Sequence, residues 1–239
     1  MTTAPPSAPH SIATALSRVF DRIAAAETKY DRAPGSVALL AVSKTRTADE
    51  VMKVSATGHA RFGENQLQDA LLKLDAISQD NLEWHFIGPL QSNKSRTVAE
   101  RFDWIQSIDR ERVARRLSEQ RPAELAPLNV CLQYNVSGEE SKSGVRREDL
   151  DSLAEAVAGH ANLRLRGIMA IPQASLDPDT QRAAFADVRS AYEALRRQGF
   201  DLDTLSMGMS DDLESAIAEG STMVRIGTAI FGPRRPRVQ

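Results

Sequence analysis

The feature that most constrains this 239-residue chain is a repeated alternation: a short apolar run, then a segment with helical periodicity. Apolar runs fall at residues 37–42, 60–62, 82–88, 104–108, 128–136, 163–171, 204–206 and 223–226. Between them, apolar residues recur every three or four positions, the mark of a helix with one buried face. Strands separated by helices pair in parallel, because each helix carries the chain back across the sheet. Runs such as Val37-Ala-Leu-Leu-Ala-Val42 have no polar alternation, as expected of strands covered on both faces. Eight such units in about 230 residues fit a single (β/α)8 barrel of the TIM type. The competing architecture is a doubly wound open sheet. No G-x-G-x-x-G follows the first strand, which counts against its dinucleotide-binding version.

An extra helix precedes the barrel. Residues 11–30 place Ile12, Leu16, Val19, Phe20 and Ile23 on one face behind an N-cap at Ser11. Thr47-Ala-Asp-Glu50 is a capping-box pattern, and Gly58 ends the helix it opens. Further helices are expected at 66–78, with Leu67, Leu71, Leu74 and Ile77 inward, at 92–101, at 109–120 capped by Asp109, at 147–160, at 180–198 and at 211–219. Residues 1–10 read as a disordered proline-rich tail, and residues 11–239 as one domain.

Thirty basic and thirty-two acidic residues leave a formal net charge of −2, which gives no pull towards nucleic acid or an anionic membrane. Cys131 is the single cysteine, which excludes an internal disulfide and metal sites built on cysteine pairs; it sits in an apolar run and reads as a small core residue. No metal site is expected. No apolar run is long enough to span a bilayer. The start lacks the basic and apolar blocks of a signal peptide, so a cytoplasmic protein is expected.

Barrel enzymes carry their chemistry on the loops after the strands. Lys44 stands immediately after the first run. A lysine held there in a partly apolar pocket can lose its proton and attack a carbonyl; otherwise it snorkels to solvent. Ser206-Met-Gly-Met-Ser210 and Ile226-Gly-Thr228 follow strands seven and eight, where barrels often hold a phosphate. Their glycines let backbone N–H groups approach an oxyanion, and their hydroxyls add donors. Arg225, inside the eighth strand, is either a buried ion-pair partner or a permanent cation aimed at a ligand. His85 is a core histidine or a site residue, and Asn65 is a turn residue or a ligand contact. Residues 139–144 read as a solvated loop, with 141–144 a candidate lid. A carbonyl-reactive lysine opposite a phosphate cradle suits an aldolase acting on sugar phosphates, or a barrel holding pyridoxal 5'-phosphate (PLP), which carries aldehyde and phosphate together.

Leu40-Ala-Val-Ser-Lys-Thr45, Phe62-Gly-Glu-Asn65, Trp84-His-Phe-Ile-Gly-Pro-Leu-Gln-Ser-Asn-Lys94, Ser141-Lys-Ser-Gly144, Leu205-Ser-Met-Gly-Met-Ser-Asp211 and Val224-Arg-Ile-Gly-Thr-Ala-Ile-Phe-Gly232 together resemble the signatures of the PLP homeostasis proteins, single-domain relatives of the alanine racemase N-terminal barrel. The resemblance runs from about residue 34 to residue 232, with the motifs in order. It implies an alanine racemase-like barrel with PLP bound as an aldimine (Schiff base) on Lys44. It implies that Arg225 faces the pyridine nitrogen, and that Ser206, Met207, Gly227 and Thr228 hold the phosphate. Asn65, His85 and Ser210 would lie near the ring. Such proteins buffer or deliver PLP, a vitamin B6 form, without turnover of their own, and apo-enzymes that require PLP are the implied partners. Gln66 departs from the pattern, since the family often has an aromatic there.

The alternative function is a PLP-dependent amino-acid racemase. That chemistry needs an acid/base group on each face of the cofactor. The second base, a tyrosine in the racemases as the resemblance implies, has no counterpart on a strand-end loop here: Tyr30 and Tyr192 fall on helices and Tyr134 within strand five. A cofactor-free Schiff-base aldolase is the third reading. A monomer is expected, for want of an additional dimerisation domain.

Overall fold

The computed structural model describes residues 11–139 and 143–233. The proline-rich start, residues 140–142 of the loop that includes the candidate lid, and residues 234–239 lie outside the described residues.

The eight strands β1 (Ala38–Val42), β2 (Arg61–Glu64), β3 (Glu83–Phe86), β4 (Trp104–Ile108), β5 (Leu128–Tyr134), β6 (Leu163–Ala170), β7 (Thr204–Ser206) and β8 (Met223–Ile226) close into a parallel barrel in sequence order. Closure is made by β1 against β8, with Leu40 opposite Arg225 and Ala41 opposite Ile226. Around it lie α1 (Ile12–Lys29), α2 (Ala48–Ser55), α3 (Leu67–Ala76), α4 (Ser95–Arg101), α5 (Glu111–Gln120), α6 (Leu150–Ala158), α7 (Pro178–Arg197), α8 (Leu213–Ala218) and α9 (Thr228–Phe231). The fold is therefore the (β/α)8 barrel of the alternation, with α1 as the extra N-terminal helix. No helix among the described residues is long and apolar enough to cross a membrane.

Burial explains the patterns. Leu39, Leu40, Ala41 and Val42 are all buried, since β1 has barrel interior on one side and helices on the other. Cys131 is fully buried in β5. The Thr47 box forms as expected: the Thr47 hydroxyl accepts from the Glu50 N–H, while the Glu50 carboxylate accepts from Thr47 N. Thr47→Ala is expected to lower stability by about 1 kcal/mol, read as a fall of a few degrees in thermal midpoint.

The last helix, α9, docks through buried Ile230 and Phe231. Two expectations need correction. Asp109 does not cap α5; Arg110 is the N-cap residue, and Asp109 instead accepts from the Arg110 guanidinium. And α3 does not bury the leucine stripe read from its spacing. Its buried residues are Ala70 and Lys73, while Leu67 and Leu74 are only partly covered.

Candidate functional site

A cavity of about 580 Å³ opens at the C-terminal mouth of the barrel. Six of the nine residues singled out in the sequence line it: Lys44 after β1, Asn65 after β2, Ser210 after β7, Arg225 on β8, and Gly227 and Thr228 at the start of α9. The loop rule for barrels finds these because the C-terminal ends of successive strands share one mouth.

Lys44 is half-buried in the turn that leaves β1, and the next residue, Thr45, takes a left-handed conformation with φ 64°. Beneath that turn lies a buried polar cluster. Lys73 of α3 donates to the Ser43 carbonyl (2.9 Å), to Glu64 Oε1 (2.7 Å) and to Asp69 Oδ2 (2.8 Å). The Ser43 hydroxyl also donates to Glu64 Oε1, and Thr45 N donates to Asp69 Oδ2. One ammonium and two carboxylates thus fasten both sides of the lysine turn. Burial pushes the Glu64 carboxyl above its usual range in spite of the Lys73 charge.

Arg225 is only 4% exposed. Its Nη1 donates to the Ser206 carbonyl (2.7 Å) and hydroxyl (2.8 Å), and its Nη2 to the Ala170 carbonyl (2.8 Å). Of its two sequence readings, the buried ion pair is not what forms: all three acceptors are neutral. Burial pushes its pKa down to about 10, which leaves the cation intact at neutral pH.

Ser206, Met207 and His85 do not line the cavity, contrary to expectation. The Ser206 hydroxyl is spent on Arg225 and Gln106, so it lies one bond behind the wall. Met207 is fully buried in the hydrophobic core, and Met209 is the loop methionine at the cavity. His85 is fully buried in the barrel interior between Gln106 and Glu83, with burial lowering its pKa.

Two arginines that sequence reading passed over do line it, Arg22 of α1 and Arg46. Arg22 donates to the Ser210 carbonyl (3.1 Å), so the extra helix reaches the loop after β7. No local pattern marks Arg22; its place depends on how α1 docks. Among the described residues, four cationic side chains, Arg22, Lys44, Arg46 and Arg225, thus face the cavity against one carboxylate, Asp211. That balance favours an anionic ligand. Small residues shape the wall. A Cβ on Gly208, at φ +97°, would lie 2.5 Å from the Ala216 Cβ, and one on Gly227 would lie 3.2 Å from the Val42 carbonyl oxygen.

A larger depression, about 1090 Å³, opens at the opposite mouth. Among the described residues it contains no lysine; Arg61 pairs with Glu83 and Arg166 with Asp203, while the Glu27 carboxylate accepts from Gly35 N and Val37 N. Of the two mouths, the smaller cavity is the one that combines a strand-end lysine with a surplus of cations. Among the described residues no tyrosine lines the smaller cavity; the Tyr134 hydroxyl donates to Asp187 and that of Tyr192 to the Leu202 carbonyl.

Residues 16–235 match the family model described as the alanine racemase N-terminal domain. A protein of Pseudomonas aeruginosa named pyridoxal phosphate homeostasis protein is 57% identical over 224 residues, covering 94% of this chain and 96% of its own length. A protein of the same name from Escherichia coli K12 is 52% identical over 228 residues, covering 94% and 97%. Among solved structures, PipY of Synechococcus elongatus PCC7942 with PLP bound superposes with a TM-score of 0.81 at 34% identity, covering 92% of this chain and all of that one.

Proposed function

Since this chain belongs to the alanine racemase N-terminal domain family, and within it to the pyridoxal phosphate homeostasis proteins, we propose that it binds PLP in the C-terminal cavity and serves to buffer or deliver it. The observation that carries this reading is the cavity itself, where a strand-end lysine stands with two small-residue loops in a wall whose described residues include four cations and one acid. These residues fit the cofactor. When bound, PLP supplies an aldehyde that an unprotonated lysine amine can attack and a phosphate that calls for cations and hydroxyls.

Lys44 Nζ is the group we assign to covalent attachment. Thr228, Gly227 and Ser210 are assigned to the phosphate, with Asn65 beside the ring. Arg225 is assigned to the ring nitrogen. A fixed cation there would disfavour protonation of that nitrogen and so weaken the ring as an electron sink. This supports a carrier rather than an enzyme, as does the lack of a lining tyrosine to act as a second base. Ser206 acts through Arg225 rather than by direct contact. We further propose that the protein acts in the cytoplasm as a monomer and passes PLP to apo-enzymes that need it.

The purified protein is expected to show a band near the visible edge. Borohydride treatment should shift that band and fix the adduct on the peptide containing Lys44. Lys44→Ala should take up no borohydride-stable adduct, yet keep its thermal midpoint, because that side chain is half-exposed. An adduct on another lysine would move the attachment site. No band even after adding PLP would overturn the proposal in favour of a cofactor-free aldolase. Racemisation of an amino acid, lost in Lys44→Ala, would make the protein an enzyme instead.

A further inference from the structure

An unbroken line of polar side chains crosses the barrel interior from the cavity to the opposite mouth. Arg225 Nη1 donates to the Ser206 hydroxyl (2.8 Å). That hydroxyl donates to Gln106 Oε1 (2.7 Å). Gln106 Nε2 lies 2.9 Å from His85 Nδ1, and His85 Nε2 lies 2.7 Å from Glu83 Oε1. Glu83 in turn faces Arg61 in the larger depression (3.3 Å). Ser206, Gln106 and His85 are each 0% exposed, so no water competes for their bonds.

The two ends fix the direction of every bond between them. A guanidinium can only donate, and an ionised carboxylate can only accept. Burial alone would raise Glu83, but the hydrogen bond from His85 and the Arg61 charge outweigh it and hold the carboxyl below its usual range. Ser206 accepts from Arg225, so its proton must go to Gln106 Oε1. The Gln106 amide is then set with Nε2 towards His85, its contact with the Met223 sulfur (3.2 Å) being a further constraint. His85 Nδ1 must therefore accept, which assigns the Nε2–H tautomer and sends that proton to Glu83. Trp104 stacks on the imidazole at 5.0 Å with an 11° tilt and holds the ring plane. In such a head-to-tail chain, each bond polarises the next. Reversing any one member leaves a buried donor or acceptor unmade.

We propose that Glu83, His85, Gln106 and Ser206 form one directed hydrogen-bond chain that holds the Arg225 guanidinium in its place in the cofactor cavity, with Gln106 and His85 as positioning residues acting from inside the barrel. The inference rests on the reading of that cavity as the PLP site. It assigns His85 a role without ring contact, and it makes Glu83, on the far mouth, part of the same device.

The test reads Arg225 first in the ligand-free full-length protein. Its guanidinium N–H resonance, identified by its loss in Arg225→Gln, should be protected from solvent exchange in the wild type. Gln106→Leu breaks the chain in the middle by removing the Ser206 acceptor and the His85 donor, and that resonance should exchange about tenfold faster, the equivalent of one hydrogen bond in the chain. Glu83→Leu removes the far acceptor on a half-exposed residue and should act in the same direction, whereas Glu83→Gln keeps an acceptor and should restore protection. PLP titration supplies the second readout. Gln106→Leu should weaken PLP binding about tenfold in the wild-type background and have no effect in Arg225→Gln, because Gln106 acts only through that arginine. An Arg225 resonance unmoved in both Gln106→Leu and Glu83→Leu overturns the chain, whatever PLP does. A resonance that responds as described in a protein that binds no PLP upholds the chain and overturns only the identity of the ligand. Additive losses in the double variant assign Gln106 a merely structural role and overturn the positioning claim.

Discussion

Lys73→Met is expected to destabilise the protein by about 4 kcal/mol, the usual loss when one partner of a buried ion pair is removed. Lys73 is 3% exposed and holds three oxygens at once, those of Ser43, Glu64 and Asp69. Asp69 reaches water when Lys73 is gone, for its side chain is 32% exposed. Glu64 cannot: it is fully buried, and its Oε2 already lacks a hydrogen-bond partner. The loss should depend on pH, with a sign fixed by Glu64. Burial raises its folded pKa above the unfolded value, and removing Lys73 raises it further. A carboxyl raised in the folded state favours folding fully only below its unfolded pKa, and that contribution is lost as pH rises through the folded value. The difference in unfolding free energy between Lys73→Met and wild type should therefore be smaller at pH 5 than at pH 8. Adding Glu64→Gln should recover part of it, because a neutral amide needs no counter-charge. Denaturant unfolding of the three proteins at both pH values checks this; equal losses at the two pH values would mean that Glu64 does not carry the effect. The same variant frees the turn that presents Lys44, so borohydride trapping on Lys44 should fall as well.

That cluster also marks the limit of what the sequence discloses. The barrel was legible because its strands are covered on both faces: residues 104–108, 204–206 and 223–226 stand out as apolar or small-residue runs and coincide with β4, β7 and β8. Thr47 and Glu50 were legible because a capping box is local. Lys73 was not. Its neighbours Leu71 and Leu74 carry the right spacing for a core face, and a lysine beside them reads as solvent-facing. What turns α3 is Glu64 at the end of β2, a buried carboxylate that needs a cation, and each member of that pair looks like a surface residue by itself. At the cavity, the order of strand ends located Lys44, Asn65 and Thr228. Alternation along a strand tells inward from outward but not depth. His85 and Ser206 point inward yet sit below the cavity, in the layer of side chains that fills the barrel. Arg22 escaped for another reason: it lies far from the motifs in sequence, and only the docking of α1 brings it to Ser210.

Gly88→Ala should damage fold and site together, for a reason the backbone makes plain. A Cβ built on Gly88 lies 2.1 Å from the Asn65 carbonyl oxygen and 2.8 Å from both the Asn65 carbonyl carbon and Cα. These are main-chain atoms, which cannot swing aside as a side chain would. Gly88 cannot retreat either. Its own carbonyl accepts from the Ser107 hydroxyl at 2.6 Å, and Ile87 N donates to the Glu64 carbonyl at 2.8 Å, holding the ends of β2 and β3 together. The extra methyl must push the Asn65 backbone away, at a loss of about 3 kcal/mol, the upper part of the usual range for overpacking. Asn65 lines the cavity, so its displacement should also weaken PLP binding about tenfold, the equivalent of one hydrogen bond. Gly63→Ala is the matched control. Its Cβ would meet mainly the Leu40 side chain, at 3.1 Å, which can adjust by changing rotamer. Its stability loss should be well below that of Gly88→Ala, with PLP binding little changed. Thermal unfolding and PLP titration of the two variants side by side decide the matter. If Gly88→Ala unfolds earlier but binds PLP as the wild type does, Asn65 has no part in holding the cofactor. If both properties are unchanged, the close approach of the β2 and β3 ends is not a constraint on this barrel.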